Sequence, residues 1–282
     1  MSRQGFYKKL KRIQNENQNQ ELILAEVRKI RKIQPKYGTL KLHKDLSFFF
    51  QKQGIKIGRD QFFKLLKCNQ MLVKKSNNFH TTTNSRHRFF KNPNRILDLE
   101  ITRSEQVWVS DITYLKIQNN HAYLALVTDA YSKKIVGYKL ADHLRTEIVV
   151  DALKMALKGR SFPNRKLIHH SDRGIQYCAP EFTEFTDKQQ ILLSNTQNSD
   201  PYENAIAERI NRTLKYEYGL KEVLPDFKTA EKMVKQAVEI YNNQRLHFSL
   251  NLQTPAKVHL KENVKYKSYK RKKNANLEPQ NN

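Results

Sequence analysis

Four acids fall in one stretch, SDPYENAIAERINRTLKYE at residues 199–217: Asp200, Glu203, Glu208 and Glu217. The chain as a whole is poor in acids relative to bases, so this group of carboxylates raises the question of chemistry. Carboxylate oxygens hold Mg²⁺ for cleaving or joining phosphodiesters, where two ions about 4 Å apart activate the attacking oxygen and stabilise the leaving one. Such a site needs about three acids that converge from different elements of the fold.

Two further acids stand at positions where strands present functional groups. Asp111 interrupts the apolar run VWVSDITYLKI, and an unpaired carboxylate is poorly suited to the core of a sheet. Asp172 follows the short apolar strand KLIHH, and strand ends of α/β folds commonly carry ligand groups. Each also has a structural interpretation. Asp111 would then face the surface, and Asp172 would form a sharp turn with Gly174.

Glu208 lies on a predicted helix whose polar face is formed by residues at spacings of four, four and three: Asn204, Glu208, Arg212 and Lys215. The face expected to pack on the core is formed by Ile206, Ile210 and Leu214. A carboxylate beside two bases suits a metal ligand whose neighbours grip phosphate. It equally suits a solvated ladder of ion pairs, and the helix alone favours that second interpretation.

Other acids have simpler explanations. Asp200 precedes Pro201 and the predicted helix start, which suits an N-terminal cap. Glu203 falls in the first turn, where the helix dipole favours negative charge. Asp129, in VTDAYSKK, begins a predicted turn between two strands and is interpreted as structural.

The composition indicates a polyanionic partner. The 282 residues include 52 Lys and Arg against 27 Asp and Glu, a formal net charge of +25. Nucleic acid is the first candidate, because neutralised phosphates release condensed counterions. An anionic membrane surface is the second, but no apolar run reaches the roughly 18 residues that a span needs, and no membrane partner is predicted. The start MSRQGFYKKLKR lacks the apolar core of a signal peptide, and the two cysteines are predicted to be reduced, so we expect a cytoplasmic protein.

The N-terminal third predicts a small helical module. Residues 1–19 are expected to form a basic arm, residues 20–75 three short helices in a helix-turn-helix arrangement, and residues 76–100 a basic linker. The third helix, residues 59–68, would be the recognition helix. It would offer four side chains to a groove or to phosphates: Arg59, Gln61, Lys64 and Lys67. A plain three-helix bundle with a solvated basic face is the alternative. No coiled-coil heptad repeat is predicted.

Residues 101–260 predict an α/β domain. Three strands joined by turns are followed by alternating helices and short strands, a pattern typical of a mixed sheet. A last helix, FKTAEKMVKQAVEIYNNQR, completes the core, and residues 261–282 form a basic tail that is expected to be disordered.

Three motifs of this domain, WVSDITY, HSDRGIQY and PYENAIAERINRTLKYE, closely resemble the signature blocks of the DDE transposases of bacterial insertion sequences, whose core is similar to retroviral integrase. Sixty residues separate Asp111 from Asp172, and 35 separate Asp172 from Glu208, which is the spacing of that family. The stretches YGTLKLHKDL, GIKIGRDQFFKLL and YNNQRLHFSLNLQTPAKV resemble its N-terminal and C-terminal blocks. The second-frame products of IS-three-type elements are the best match, over residues 1 to about 260.

The resemblance implies an RNase H-like mixed-sheet core behind an all-α helix-turn-helix module. It maps a catalytic and metal-binding triad onto Asp111, Asp172 and Glu208, and a DNA contact onto Lys215, beside Arg212. It implies two Mg²⁺ ions, with Mn²⁺ as a substitute, and DNA partners in the form of element ends and a target. A homo-oligomer on DNA, a fusion with a first-frame product and association with the bacterial nucleoid are further expectations.

Some residues depart from the family pattern. Glu203 stands where many relatives have Asp, TQN at 196–198 replaces a basic stretch, and Arg209-Ile210 replaces a serine followed by aromatics. The departure at 196–198 puts one DNA contact near the site in doubt. Three rival functions remain: a non-enzymatic DNA-binding regulator, an RNase H-like nuclease that only hydrolyses, and a structural RNA-associated protein. The last leaves the three acids unexplained.

Overall fold

The computed structural model describes residues 2–73, 92–118, 120–197 and 204–261. Its helices are α1 (Arg3–Ile33), α2 (Thr39–Asp45), α3 (Ser47–Lys52), α4 (Arg59–Cys68), α5 (Glu147–Lys158), α6 (Ile175–Cys178), α7 (Pro180–Lys188), α8 (Ala205–Glu217), α9 (Phe227–Asn243) and α10 (Pro255–His259). Its strands are β1 (Val107–Ile117), β2 (Asn120–Asp129), β3 (Ile135–Ala141), β4 (Ile168–Ser171) and β5 (Leu192–Asn195). Within these ranges, no helix is both long and apolar enough to cross a membrane.

Helices α1 to α4 form the N-terminal module around a core of their own, which includes the fully buried Val27, Leu42, Phe62 and Leu66. The third predicted helix matches α4 at both ends. The second predicted helix is two short helices, α2 and α3, which meet at Leu46, where ψ is −1° instead of the usual helical value.

Residues 3–19, which were expected to form a basic arm, are helical as the first part of α1. This helix starts at Arg3, where the Ser2 hydroxyl accepts a hydrogen bond from the Gly5 amide, and it continues unbroken to Ile33 before Pro35. The apolar residues of this stretch, Phe6, Leu10 and Ile13, recur at helical spacing, but they are few among charged and amide side chains, and all three are exposed. However, the stretch contains no proline, and its Lys, Gln, Glu and Arg residues have high helix propensity.

The sheet has the strand order β3-β2-β1-β4-β5. Strands β1, β2 and β3 pair antiparallel, whereas β4 pairs parallel with both β1 and β5, which confirms the predicted mixed sheet. Helices α8 and α9 pack on one face of the sheet, and α5 and α7 pack on the other. Helix α5 approaches β3 so closely at Gly137 that a Cβ there would lie 2.2 Å from the Ala152 carbonyl oxygen.

A buried charged network ties α10 to the sheet. Asp129 accepts hydrogen bonds from the Ser132 amide and hydroxyl and from the Glu105 amide, which confirms that it is structural. His259 Nδ1 lies 2.9 Å from the Ser132 hydroxyl, and its Nε2 lies 3.4 Å from the Glu105 carboxylate. Arg160 forms a further ion pair with Glu105 at 3.1 Å. Every member is at least nine-tenths buried, so the charges compensate each other inside the protein.

This network predicts a pH-dependent stability. Burial opposes the charged form of His259, but the carboxylates of Asp129 and Glu105, which lie 3.8 and 3.4 Å from its ring nitrogens, raise its pKa above the ordinary 6.5. Its charge therefore stabilises the fold fully below about pH 6.5, and that stabilisation is lost as the pH rises through the raised pKa. We expect His259→Gln to lower the free energy of unfolding by about 3 kcal/mol at pH 6 and by less at pH 9. Urea unfolding across this pH range measures the difference. His121→Gln, at an exposed position, is the control, and an equal loss at both pH values would contradict the prediction.

Candidate active site

The parallel pairing of β1 with β4 brings two of the predicted acids together. Ser110 of β1 is in register with Ser171, the last residue of β4, so Asp111 and Asp172 are the residues that follow this last pair of the parallel strands. Both side chains are half-buried at this edge of the core. The Gly174 amide donates to Asp172 Oδ1 at 3.0 Å.

The structure does not require glycine at position 174 for the sharp turn that the sequence suggested. Its φ of −63° lies in the ordinary range, so no left-handed turn requires it. A Cβ at this position would instead lie 3.0 Å from Asp172 Oδ1. Glycine is favoured because the backbone approaches the carboxylate closely.

Helix α8 is attached to this strand edge at its first turns and held again at its far end. Asn204, at its N-cap, donates to the Ser110 carbonyl at 3.0 Å, and Asn211 donates to Asp111 Oδ2 at 2.8 Å. At the other end, Arg245 holds Glu217 through two hydrogen bonds of 2.6 and 2.7 Å. Glu208 therefore stands in the exposed first turn of a helix that is fixed against β1.

The three carboxylates influence one another electrostatically. Burial raises the pKa of Asp111 to about 7, and the negative charges of Asp172 and Glu208 act in the same direction, against the hydrogen bond from Asn211. Burial and the charge of Asp172 likewise raise the pKa of Glu208. The buried Tyr177 hydroxyl has no hydrogen-bond partner among the described residues, and burial together with Asp111 and Asp172 raises its pKa. The site concentrates negative charge in a strongly basic protein.

The chemistry of this donor set fits a divalent cation. Carboxylate oxygens are the ligands that Mg²⁺ prefers. A cation would also relieve the repulsion that Asp172 and Glu208 exert on the ionised Asp111. In the part of the chain that the structure describes, no three His, Cys, Asp or Glu side chains are close enough to hold one ion together.

The two bases predicted on α8 lie in different surroundings. The Lys215 ammonium stands 4.4 Å from the ring centre of Tyr114, a residue of β1. Burial lowers the pKa of Lys215, and the nearby Asp111 charge acts in the opposite direction. Arg212 is exposed, with its guanidinium carbon 5.8 Å from the ring centre of Tyr216. The charges of Lys215 and Asp111 therefore interact.

The remaining predicted DNA-binding residues lie on the helical module. Arg59, Lys64 and Lys67 are all exposed on α4, and Arg59 pairs with its neighbour Asp60 at 3.0 Å. The structure therefore separates these bases from the elements that carry the carboxylates. The apolar face of α8 is as predicted, with Ile210 and Leu214 buried and Ile206 partly buried against the core.

The adjacent histidines belong to the interior. His169 bonds with the Ser110 hydroxyl at 2.7 Å, and His170 bonds with the Ser194 hydroxyl at 2.9 Å. Burial lowers the pKa of His169 to about 3, so its ring is neutral. The predicted cap at Asp200 and first-turn acid at Glu203 lie outside the described residues, and among the described residues Asn204 is the N-cap of α8.

The sequence did not single out Asn211 or Tyr177 as parts of the site. Asn211 is buried three residues after Glu208 on the predicted helix, and asparagine is a poor helix former there. A buried asparagine inside a helix is a usable signal, because its amide needs a partner. Tyr177 closes the motif HSDRGIQY, but nothing in the sequence shows that its hydroxyl is buried.

Comparisons with known proteins agree with this geometry. Residues 101–201 and 189–255 each match a family model described as an integrase core domain. The insertion element IS600 uncharacterized 31 kDa protein of Shigella sonnei is 33% identical over 261 residues, which cover 91% of this chain and 94% of that protein. The transposase for insertion sequence element IS904 of Lactococcus lactis subsp. lactis (strain IL1403) is 27% identical over 227 residues, covering 78% and 86%.

Among solved structures, the simian T-cell lymphotropic virus intasome in complex with PP2A regulatory subunit B56 gamma is similar with a TM-score of 0.50. The match has 17% sequence identity and covers 81% of this chain and 76% of that one, which supports the fold alone. The fold and the two matching models define an RNase H-like integrase core domain preceded by a helical module. The chain belongs to the family of insertion-sequence transposases that carry this core.

The hydrogen bond from Asn211 makes a prediction that does not depend on activity. Removing its amide takes a hydrogen bond from the ionised Asp111, so Asn211→Ala should raise the pKa of Asp111 by about one pH unit. Titration of ¹³C-labelled aspartate carboxyls by NMR measures this pKa. Asn243→Ala, on the exposed side of α9, is the matched control. An unchanged Asp111 titration in Asn211→Ala would show that the amide does not act on the carboxylate in solution.

Proposed function

We propose that this protein is a transposase that binds the ends of a mobile DNA element, cleaves one strand to free a 3′-OH, and joins that 3′-OH to another phosphodiester. One observation carries the proposal. Asp111 and Asp172 directly follow the last paired residues of the parallel strands β1 and β4, and α8, which carries Glu208, is hydrogen-bonded to Asp111 itself. Three separate elements thus supply the acids that two-metal phosphodiester chemistry needs.

Asp111, Asp172 and Glu208 would hold the divalent cations, in keeping with their oxygen chemistry. When bound, Mg²⁺ ions, or Mn²⁺ in their place, would supply an activated attacking oxygen and stabilise the leaving oxygen. Asn211 fixes Asp111 Oδ2, so that carboxylate presents a defined orientation. The two hydrogen bonds that Arg245 donates to Glu217 fix the far end of α8, and they would thereby help to fix the position of Glu208 on the same helix. This preorganisation would place a phosphodiester for in-line attack without a covalent protein–DNA intermediate.

Lys215 would bind the DNA next to the reacting phosphate. Its side chain is held over Tyr114 on β1, the strand of Asp111, and it lies two helical turns beyond Glu208. Nucleotides that flank the reacting phosphodiester would lie within reach of its ammonium. The exposed Arg212, between Glu208 and Lys215, would contribute to the same basic surface.

The helical module would recognise the element ends. Its α4 exposes Arg59, Lys64 and Lys67, while Phe62, Leu65 and Leu66 are buried beneath them. A short basic helix on a compact bundle suits insertion into a major groove. Paired element ends further suggest a homo-oligomer on DNA in the nucleoid, and a fusion with a first-frame product would add a partner module.

Two rival functions are separated by the reaction products. A nuclease of the same fold would leave free 3′-OH ends and join none of them to a target duplex. A non-enzymatic regulator would bind DNA without cleaving it, and its binding would not depend on the three acids. The electrostatic coupling of those acids favours an enzyme over a regulator.

Variants of the three acids test the proposed chemistry. Asp111→Asn, Asp172→Asn and Glu208→Gln should each lower strand cleavage of element-end DNA by about a hundredfold or more, because each removes a metal ligand. DNA binding should survive. The exposed Asp187→Asn and Glu239→Gln are controls of the same chemical change. Cleavage is followed by the release of labelled strands with Mg²⁺ present, and near wild-type cleavage by any of the three variants would remove that residue from the triad.

A stability measurement separates lost chemistry from lost folding. Because the pKa of Asp111 rises from the ordinary 3.8 to about 7 on folding, this carboxyl destabilises the folded protein increasingly as the pH rises between these values, and fully above about pH 7. Asp111→Asn should therefore melt no lower than the wild type at pH 8 without metal. A clear drop in its melting temperature would attribute any loss of cleavage to misfolding.

Lys215 has a prediction of its own. Lys215→Ala should weaken binding of processed element ends about tenfold with Ca²⁺ present, because the variant lacks a charge-assisted hydrogen bond near the reacting phosphate. Binding of a random duplex should change by less than about twofold. Lys221→Ala is a close control, since Lys221 also stands over a tyrosine ring, that of Tyr216 at 4.6 Å. Equal weakening for both kinds of DNA would reduce Lys215 to general basic surface.

A further inference from the structure

The first two-thirds of α1 project from the module without support. The buried residues of this helix are Ile23, Leu24 and Val27, and no side chain from Arg3 to Leu22 is buried. At 1.5 Å per residue, this unsupported part is about 30 Å long. A helix that packs on nothing is only marginally stable in water, since most helical stability in proteins comes from packing.

This projecting part has two different faces. Four bases within five residues share one face: Lys8, Lys9, Lys11 and Arg12. The opposite face carries exposed Phe6, Leu10 and Ile13. Helical geometry keeps the two groups apart, so the basic face is continuous.

The positive charge of the basic face has little compensation within the chain. Glu16 is the first acid after the N-terminus, and it pairs with Arg12 at 2.9 Å on the exposed surface. No ion pair between residues that the structure describes involves Lys8, Lys9 or Lys11. Three neighbouring ammonium groups repel each other on a marginal helix, and a polyanion would reverse that effect.

We infer that the basic face of α1, formed by Lys8, Lys9, Lys11 and Arg12, is a second DNA-binding element, which lies along the phosphates beside the site bound by α4. The helix continues directly into the module that carries Arg59, Lys64 and Lys67, so one duplex can meet both. The free helix is only partly formed, and binding to DNA completes it. This inference rests on the proposed DNA-binding function and adds a binding surface outside the predicted recognition helix.

Anionic membranes are the other polyanion that a basic amphipathic helix could meet. The net charge of +25 extends far beyond α1, and α4 of the same module repeats the exposed basic pattern without an apolar stripe of comparable length. Positive charge spread over so much of the protein surface is complementary to a DNA duplex, which presents phosphates on all sides.

The test compares two triple variants of the full chain. Lys8→Gln, Lys9→Gln and Lys11→Gln together remove three charges from α1 and keep a good helix former at each position. The control removes the same number from the exposed surface of α9: Lys228→Gln, Lys232→Gln and Lys235→Gln. Affinity for a 30-base-pair random duplex is measured at several salt concentrations. The α1 triple should flatten the log–log salt dependence by up to about 0.9 for each phosphate that is no longer neutralised, and the control should leave it unchanged.

Hydrogen exchange supplies a second readout. The duplex should protect the amides of residues 3–20 in the wild type and not in the α1 triple. Equal salt slopes for wild type and α1 triple, an equal change in the control, or protection by anionic vesicles in place of DNA would each overturn the inference.

A Lys64→Ala, Lys67→Ala double variant distinguishes failure of the role inferred for α1 from failure of the proposed DNA binding by the helical module. If it flattens the slope while the α1 triple does not, DNA binding by α4 stands and only the role of α1 fails. A wild type that binds no duplex would reject both.

Discussion

Asp111 and Asp172 repel each other, and the parallel pairing of β1 with β4 keeps them at neighbouring strand positions in spite of that repulsion. The rest of the site is arranged around this constraint. Asn211 satisfies one oxygen of Asp111, and Asn204 fixes the start of α8 to the carbonyl of the preceding residue. The backbone hydrogen bonds of the sheet therefore offset the repulsion between the two aspartates. The negative charge of the site remains available to bind a cation.

The distribution of charge separates two tasks. Many of the bases lie on the module and the exposed surface, where they stay solvated and available to a polyanion. Asp111 and Asp172 instead lie where the parallel pairing of β1 with β4 ends, and the half-buried Lys215 is close enough to Asp111 to interact with its charge. A duplex attracted by the general surface would thus meet this negative charge where cations can compensate it. The buried Glu105, Arg160 and His259 form a different kind of charged group, because their charges cancel internally and join α10 to the sheet.

Much of the fold could be predicted because periodicity is a local property. The apolar alternation of β1 to β3 and the spacing of Ile206, Ile210 and Leu214 indicated the mixed sheet and the packed face of α8. The first part of α1 was missed because its few apolar residues, Phe6, Leu10 and Ile13, stand among many charged and amide side chains and none of them is buried. Gly174 shows a further limit: the sequence marks a glycine, but the approach of its backbone to Asp172 Oδ1 appears only in three dimensions.

The sequence by itself determined which residues are candidates for the chemistry, because the identity and spacing of Asp111, Asp172 and Glu208 within their motifs are written along the chain. It also determined the basic character that favours a polyanionic partner. Only the tertiary structure decided that the two aspartates stand side by side, that Asn211 rather than a base contacts Asp111, and that His169 is a neutral core residue. The physical reason is that register, burial and hydrogen bonding join residues that are far apart in the chain, such as Asp111 and Asn211 at a separation of 100 positions, and therefore depend on strand pairing and helix packing, which no local pattern encodes.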